Sequence, residues 1–134
     1  MTGSKSDYLE NALLDEVLGG VGYTPAGSVY IALYTTAPTD AGGGTAVSGT
    51  GYARATVANG TANWPAASSG AKSNAGTIQF NTAGADWGTV TAFAIFDDPT
   101  AGNMLYWATL TTAKNVQSGD TAQFNPNDLD VTED

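Results

Sequence analysis

Carboxylates are the side chains in this sequence best equipped for chemistry. Asp97 and Asp98 are adjacent, and Asp40, Asp86 and Asp120 fall in loop-forming stretches. Two carboxyls across a cleft can divide the acid and base roles of glycoside hydrolysis. Neighbours at a strand end point apart, so Asp97 and Asp98 do not form such a pair by themselves. Convergence with the other three would have to come from the fold. Histidine and cysteine are both absent. Their absence removes the usual acid–base group at neutral pH, every Ser-His triad, thiolate nucleophiles and the commonest zinc ligands. Asp128-x-Asp130 has the spacing that opens a calcium loop, but the glycine and the distal glutamate that complete one are missing. Gly42-Gly43-Gly44 runs into Thr45-Ala46-Val47 rather than Gly-Lys-Ser/Thr, so it is not a phosphate cradle. No enzymatic step, metal or cofactor is expected.

Recognition is the alternative to catalysis, and the charge balance narrows it. Four basic residues face 13 acidic ones, for a net charge of -9. Such a field repels nucleic-acid phosphates and anionic membranes. It suits solubility first, and then cation binding or docking to a basic partner. Charged residues are only 13% of the chain, below the average for soluble domains. Polarity must come from Thr, Ser, Asn and backbone, which fits a protein packed against others. Arg54, the single arginine, has the planar fork for a bidentate carboxylate pair, within the chain or across subunits. Trp64, held extended before Pro65, fills a hydrophobic gap or an interface. Trp87, Phe93 and Trp107 read as core, with stacking on sugars in a receptor-binding domain as the competing use for them and for Trp64.

The elements that must position these residues are mostly strands. The 134 residues suffice for one domain with a core, and no linker or repeat divides them. The densest stretch is 87–112, WGTVTAFAIFDDPTAGNMLYWATLTT. It reads as a hairpin of strands at 90–96 and 104–112, joined by Asp97, Asp98, Pro99 and Gly102-Asn103. Strict alternation sets Val90, Ala92, Ala94 and Phe96 against Thr91, Phe93 and Ile95. It also sets Met104, Tyr106, Ala108 and Leu110 against Leu105, Trp107 and Thr109. Both faces carry bulk, so a neighbouring subunit is expected to cover one of them.

Before the hairpin, residues 1–5 read as a loose leader without signal-peptide character. A helix follows at 6–18, with Asp7 and Glu10 at capping-box spacing and Ser6 as the rival cap. Leu9, Ala12, Leu13 and Val17 form its stripe, Leu14 and Leu18 widen it, and Gly19-Gly20 ends it. Leu13 and Val17 are candidate interface residues. Further strands are expected at 28–34, 52–58, 77–80 and 121–124, with a last edge strand or tail around Leu129 and Val131. Between the first two lies 35–51, a glycine-rich arm that contact with a neighbour would order. Pro38 and Tyr52 flank it. The fold class is mainly β, an antiparallel sandwich or open, jelly-roll-like barrel with one short N-terminal helix. No run is long and apolar enough to cross a membrane as a helix.

Four stretches carry a resemblance. They are Tyr8-Leu9-Glu10-Asn11 with Leu13-Leu14-Asp15, and Ala32-Leu33-Tyr34-Thr35 running into Ala37-Pro38-Thr39-Asp40-Ala41-Gly42-Gly43-Gly44-Thr45. The others are Val47-Ser48-Gly49 with Gly51-Tyr52-Ala53-Arg54, and Trp87-Gly88 with Ile95-Phe96-Asp97 and Gly102-Asn103-Met104-Leu105-Tyr106. In these the chain resembles a family of small tailed-bacteriophage proteins, labelled tail fibre or virion structural proteins. The resemblance implies a non-enzymatic virion part and brings no catalytic residues with it. Two roles compete. A capsid decoration or cement protein would bind the major capsid protein in many copies and brace the shell. A tail fibre, tail-tip or baseplate subunit would serve host contact. The residues show neither a collagen-like nor a coiled-coil shaft. Decoration of the capsid surface is therefore the leading expectation, with a trimer as the expected oligomer. Pro38, Tyr52, Arg54 and Trp64 join Leu13 and Val17 as candidate interface residues.

Overall fold

The computed structural model describes residues 2–133. In chain order the elements are β1 (Thr2–Lys5), α1 (Asp7–Gly19), β2 (Ser28–Thr36), β3 (Thr45–Ala46), β4 (Ala55–Ala58), β5 (Ala71–Ser73) and β6 (Ile78–Gln79). Then come β7 (Gly88–Phe96), β8 (Met104–Val116), β9 (Gln123–Phe124) and β10 (Asp130–Thr132). Six strands form one open antiparallel sheet in the order β1-β8-β7-β2-β3, with β4 also paired to β2. Two small ribbons, β5 with β10 and β6 with β9, complete the β structure. The fold is mainly β, open and antiparallel, with one N-terminal helix.

The β7–β8 hairpin is central because its strands bury side chains on both faces, which a solvent-facing edge would not reward. One face carries Ile31 and Leu33 of β2 beside Phe93 and Ile95 of β7. The ribbons and the loops before them close over it with Trp64, Ile78, Phe80, Phe124 and Leu129. Phe124 meets Phe93 edge-on at 5.5 Å between ring centres, a favoured aromatic geometry. The other face is a second core of Ala32, Tyr34, Ala92, Ala94, Phe96 and Met104. Ala92 and Ala94 are 0% exposed there. The chain closes both faces itself, so the hairpin does not need the neighbouring subunit expected from its bulk.

Strict alternation fails at two irregularities. Ile95 and Phe96 face Tyr106 and Met104, so Leu105 is an extra residue on β8. Such a bulge re-aims a side chain. Leu105 consequently packs with Tyr106 and Ala108 in the first core, and Met104 joins Trp107 in the second. Further along, Val90 pairs with Lys114 while Ala92 pairs with Thr109. Val90 thereby turns into the core of Phe93 and Ile95 rather than siding with Ala92.

The N-terminal stretch is also more ordered than a loose leader. Of residues 1–5, Met1 lies outside the described residues. The rest form β1, antiparallel to β8 from Thr2 opposite Thr109 to Lys5 opposite Tyr106. The backbone of this edge is satisfied by pairing, which neither hydrophobicity nor length announces. Ser6, not Asp7, caps α1: its hydroxyl oxygen accepts the Leu9 N–H at 3.2 Å. The same hydroxyl donates to the Met104 carbonyl, and the Ser6 N–H donates to the Leu105 carbonyl at 2.9 Å. The cap therefore also ties the helix to β8. Gly20, left-handed at φ 69°, ends the helix.

The 35–51 stretch is laid along the chain's own sheet. Thr39 and Gly42 exchange backbone hydrogen bonds at 2.9 and 2.8 Å, and the Asp7 N–H donates to the Asp40 carbonyl at 2.9 Å. Beyond β3, the Val47 N–H donates to the Leu33 carbonyl at 2.9 Å. Gly49 then passes against Trp87, where a Cβ would stand 2.5 Å from the indole Cδ1.

Candidate interaction surface

The carboxylates are taken up by hydrogen bonds: Asp97, Asp98, Asp120 and Asp128 close local turns, while Asp86 and Asp40 tie together distant segments. Asp97 accepts the Asn103 N–H at 2.7 Å and the Asn103 side-chain amide at 3.1 Å. Asp98 accepts the Ala101 and Thr100 N–H groups at 2.8 and 3.0 Å. Those two amides hold its carboxyl below the usual range. Asp120 accepts from Gln117 at 2.9 Å, Asp86 from Ser118 at 2.9 Å and Asp128 from Asn125 at 3.1 Å. Asp40 accepts the Trp107 indole N–H at 2.8 Å. Among the described residues no three acidic side chains group closely enough to hold a metal ion.

The six candidate interface residues fall in different settings. Tyr52 is half-buried. Its hydroxyl accepts the Leu33 N–H at 3.0 Å and its ring meets Trp87 edge-on at 5.3 Å. Burial first pushes its phenol up, against the pull of that hydrogen bond. Among the described residues Arg54 takes no carboxylate pair within the chain. Its Nη1 donates to the Asp98 and Ala101 carbonyls at 2.7 and 2.9 Å, and its guanidinium lies 3.7 Å over the Phe96 ring. The carbonyls of the turn are closer than any described carboxyl, and the ring face supplies the remaining cation contact. Pro38 is buried, next to Ala37, which packs against the second core. Trp64 is buried on the other side of the sheet, and its Nε1 has no partner among the described residues.

Leu13 and Val17 belong to a separate place. Helix α1 buries Leu9 fully and Leu13 partly, against β8 and the first core. At 3.6 residues per turn, Val17, Leu14 and Leu18 continue the apolar arc around the helix, away from the sheet. They are 75%, 57% and 82% exposed, and Val21, just past the cap, is 59% exposed. The stripe is thus wider than the face the domain covers. Leu14, Leu18 and Val21 are what residue-by-residue reading missed. That Leu14 and Leu18 widen the stripe was legible, but not that the sheet would leave them bare or that Val21 would join them.

The surroundings of this ridge are acidic. Asp7, Glu10, Asp15 and Glu16 lie on the helix, and its last turn has no basic residue. Tyr23, packed against the first core, is pushed up by burial first, then by Tyr8, Asp97 and Glu16. A second feature is an open groove of about 540 Å³ lined by Trp64, Tyr106, Val29, Ile95, Leu105 and Val131. At its rim the Tyr106 hydroxyl donates to Glu133 at 2.8 Å, and Lys5 lies 3.5 Å from the other Glu133 oxygen. Glu133 is thus already engaged, and the walls are mostly apolar, with Lys72 among the lining residues.

Geometry of this kind offers surfaces and spent carboxylates, with no reacting constellation. The family described as podophage GP4 fiber I protein gp80 matches residues 4–132. The chain belongs to that family. No curated protein matches it. As a fiber-family member it is a non-enzymatic structural protein of a phage virion. Among the described residues no helix is long and apolar enough to cross a membrane.

Proposed function

We propose that this fiber-family protein is a fibre or tail-end subunit of the virion, contributing contact surface toward the host. The observation that supports this reading is the match to a fiber family over nearly the whole chain, residues 4–132. The geometry is consistent with such work. The loop carboxylates are engaged in hydrogen bonds, and the unfilled capacity is an apolar ridge on α1 and the open groove beside Trp64. A capsid-surface decoration role, the leading expectation from sequence, has no comparable support, because nothing on the surface favours a shell partner over a tail partner. The partners are other virion proteins in either case. A trimer is a separate proposal. Its first motive, the second hairpin face, is filled by the chain itself, so it now rests on the low charge density alone.

A reconstruction of the assembled particle tests the location. Few copies confined to the tail end are expected. Hundreds of copies spread over the shell would overturn the fibre reading and restore decoration.

A further inference from the structure

The helix ridge and the groove beside Trp64 are both apolar, and the described chain fills neither. Leu14, Val17, Leu18 and Val21 stand at i, i+3, i+4 and i+7, the spacing of anchors by which a helix seats in a groove. At 3.6 residues per turn, Asp7 and Glu10 share the ridge's side of α1, Asp15 flanks it and Glu16 lies opposite. The ridge side of the helix is therefore acidic toward its N-terminus and aliphatic toward its C-terminus. Helix α1 lays Leu9 and Leu13 on its own core, so the ridge cannot turn inward to fill the groove of the same chain.

The groove complements that side in both respects. Its buried lining residues are Val29, Trp64, Ile95 and Leu105. Its volume of about 540 Å³ is in the range that takes up a drug-sized apolar ligand. Lys72 lines it, and among the described residues Lys72 makes no ion pair. Lys5 stands at the rim through its contact with Glu133. Two of the chain's 4 basic residues thus gather here. Arg54 is held by two carbonyls and the Phe96 ring, and Lys114 lines a different depression, beside Asn115 and Asp120. The net charge of -9 repels a second copy at a distance. Salt screens that repulsion beyond about 8 Å at physiological ionic strength, so the pairing at contact decides.

We infer that the Leu14–Val17–Leu18–Val21 ridge of one copy seats in the groove beside Trp64 of a second copy, with the acidic residues of α1 toward Lys72 and Lys5. Burial of apolar surface on both sides supplies the contact energy, and the lysines set the orientation. Ridge and groove are different surfaces, so one contact leaves a ridge and a groove still to be filled. The contact therefore either repeats about a two-fold axis or runs head to tail into a ring. This goes beyond the reading of the chain as a virion part and holds whether the copies stand at the tail or on the shell.

The chain has no cysteine, so single introduced thiols report contacts without background. Full-length Leu18→Cys is mixed with Thr61→Cys or Ala67→Cys, both at exposed positions lining the groove, and treated with a short thiol-to-thiol crosslinker. Ser118→Cys, just past the far end of β8 from Leu105, is the control. L18C should join T61C or A67C several-fold more than it joins S118C or itself. Equal yields, or L18C joined mainly to itself, would overturn the inference. Sedimentation of the wild type over a concentration series should show self-association. Leu14→Asn with Leu18→Asn, and separately Lys72→Glu, should each weaken it about tenfold while leaving the thermal midpoint of the dissociated chain unchanged. A wild type that stays monomeric throughout, or folded variants that associate as it does, would count against the contact and give the ridge to a different protein. The fibre reading is judged separately, by where the density sits in the particle, so the two fail independently.

Discussion

The sheet and the helix use apolar side chains in opposite ways. In the sheet, Ile31, Ala92 and Ala94 are 0% exposed, and each face of the β7–β8 hairpin has its own closed core. In α1, one residue of 13 is fully buried, and Leu18 is 82% exposed. Both regions are rich in aliphatic residues, so composition does not distinguish them. The difference is whether the chain can cover what it presents. The sheet is covered by ribbons, loops and Arg54, and its hydrophobic residues are spent on folding. The helix has more stripe than the sheet can receive, and the remainder is left for assembly. Contact with a partner is therefore expected to be lost by changes that folding tolerates, and folding by changes far from the contact.

Substitutions can break this contrast, beginning with the largest effect. Phe93→Ala empties a site 1% exposed, where Phe93 packs on Phe124. It should lower unfolding free energy by about 3–5 kcal/mol in urea titration. A loss as small as that of a surface change would show the sheet core to be loosely closed.

Asn74 comes next, although no apolar pattern marks it. It is 1% exposed, and its amide donates to the Gly76 and Asn125 carbonyls at 2.7 and 3.0 Å. Its side-chain oxygen accepts the Leu129 N–H at 3.0 Å. Asn74→Ala should cost about 2–3 kcal/mol, because a buried side chain gives up three hydrogen bonds at once and the buried Leu129 N–H is left without its partner. Hydrogen exchange at Leu129 should accelerate with it, and unchanged protection there would argue that the 125–129 turn is held by something else.

Gly102 tests the hairpin turn. It sits at φ 74°, and an added Cβ would press on the Asp97 carboxylate and the Asp98 Cβ. Gly102→Ala should destabilise by about 2 kcal/mol through the left-handed backbone and this crowding. Thermal melting of the pair measures it.

The same turn predicts an acid response. The Asp98 carboxyl is held low by the Ala101 and Thr100 amides. The unfolded carboxyl therefore binds a proton first as pH falls, near its ordinary value of about 3.9. Its contribution to stability is full above that value and is lost as pH drops through the lower folded one. Asp98→Asn should flatten the stability profile in that acid window and leave its shape near neutrality unchanged. An identical acid slope in both proteins would remove Asp98 from the account.

Smallest on the stability of the dissociated chain should be Leu14→Asn with Leu18→Asn, within about 0.5 kcal/mol per substitution because both side chains already face water. A large loss in chemical denaturation would mean the ridge belongs to the domain's own core, and the contrast with the sheet would collapse.

Composition and local pattern alone determined several features. Without histidine or cysteine, the catalytic options were nearly closed before any geometry. The periodicity of the 87–112 stretch set the central hairpin, and the helix stripe with its glycine stop set α1. The class, mainly β with one helix, follows from these local signals, as does the virion family from the worded stretches around Pro38, Tyr52 and Gly102. Tertiary structure alone decided what each surface meets. The bulge at Leu105 exchanged its place with that of Met104 because the register depends on the partner strand as well as on alternation. Arg54 went to carbonyls because the hairpin turn brought them within reach, and sequence carries no distance. Asn74 became a buried polar anchor only when the 125–129 segment folded over it. β1 gained order from an edge that only β8 could offer. Leu14, Val17 and Leu18 stayed exposed for a converse reason: the sheet presents room for Leu9 and Leu13, and no element of the described chain covers the rest. Periodicity reports that a face is apolar, while the arrangement of the other elements decides how much of it is covered.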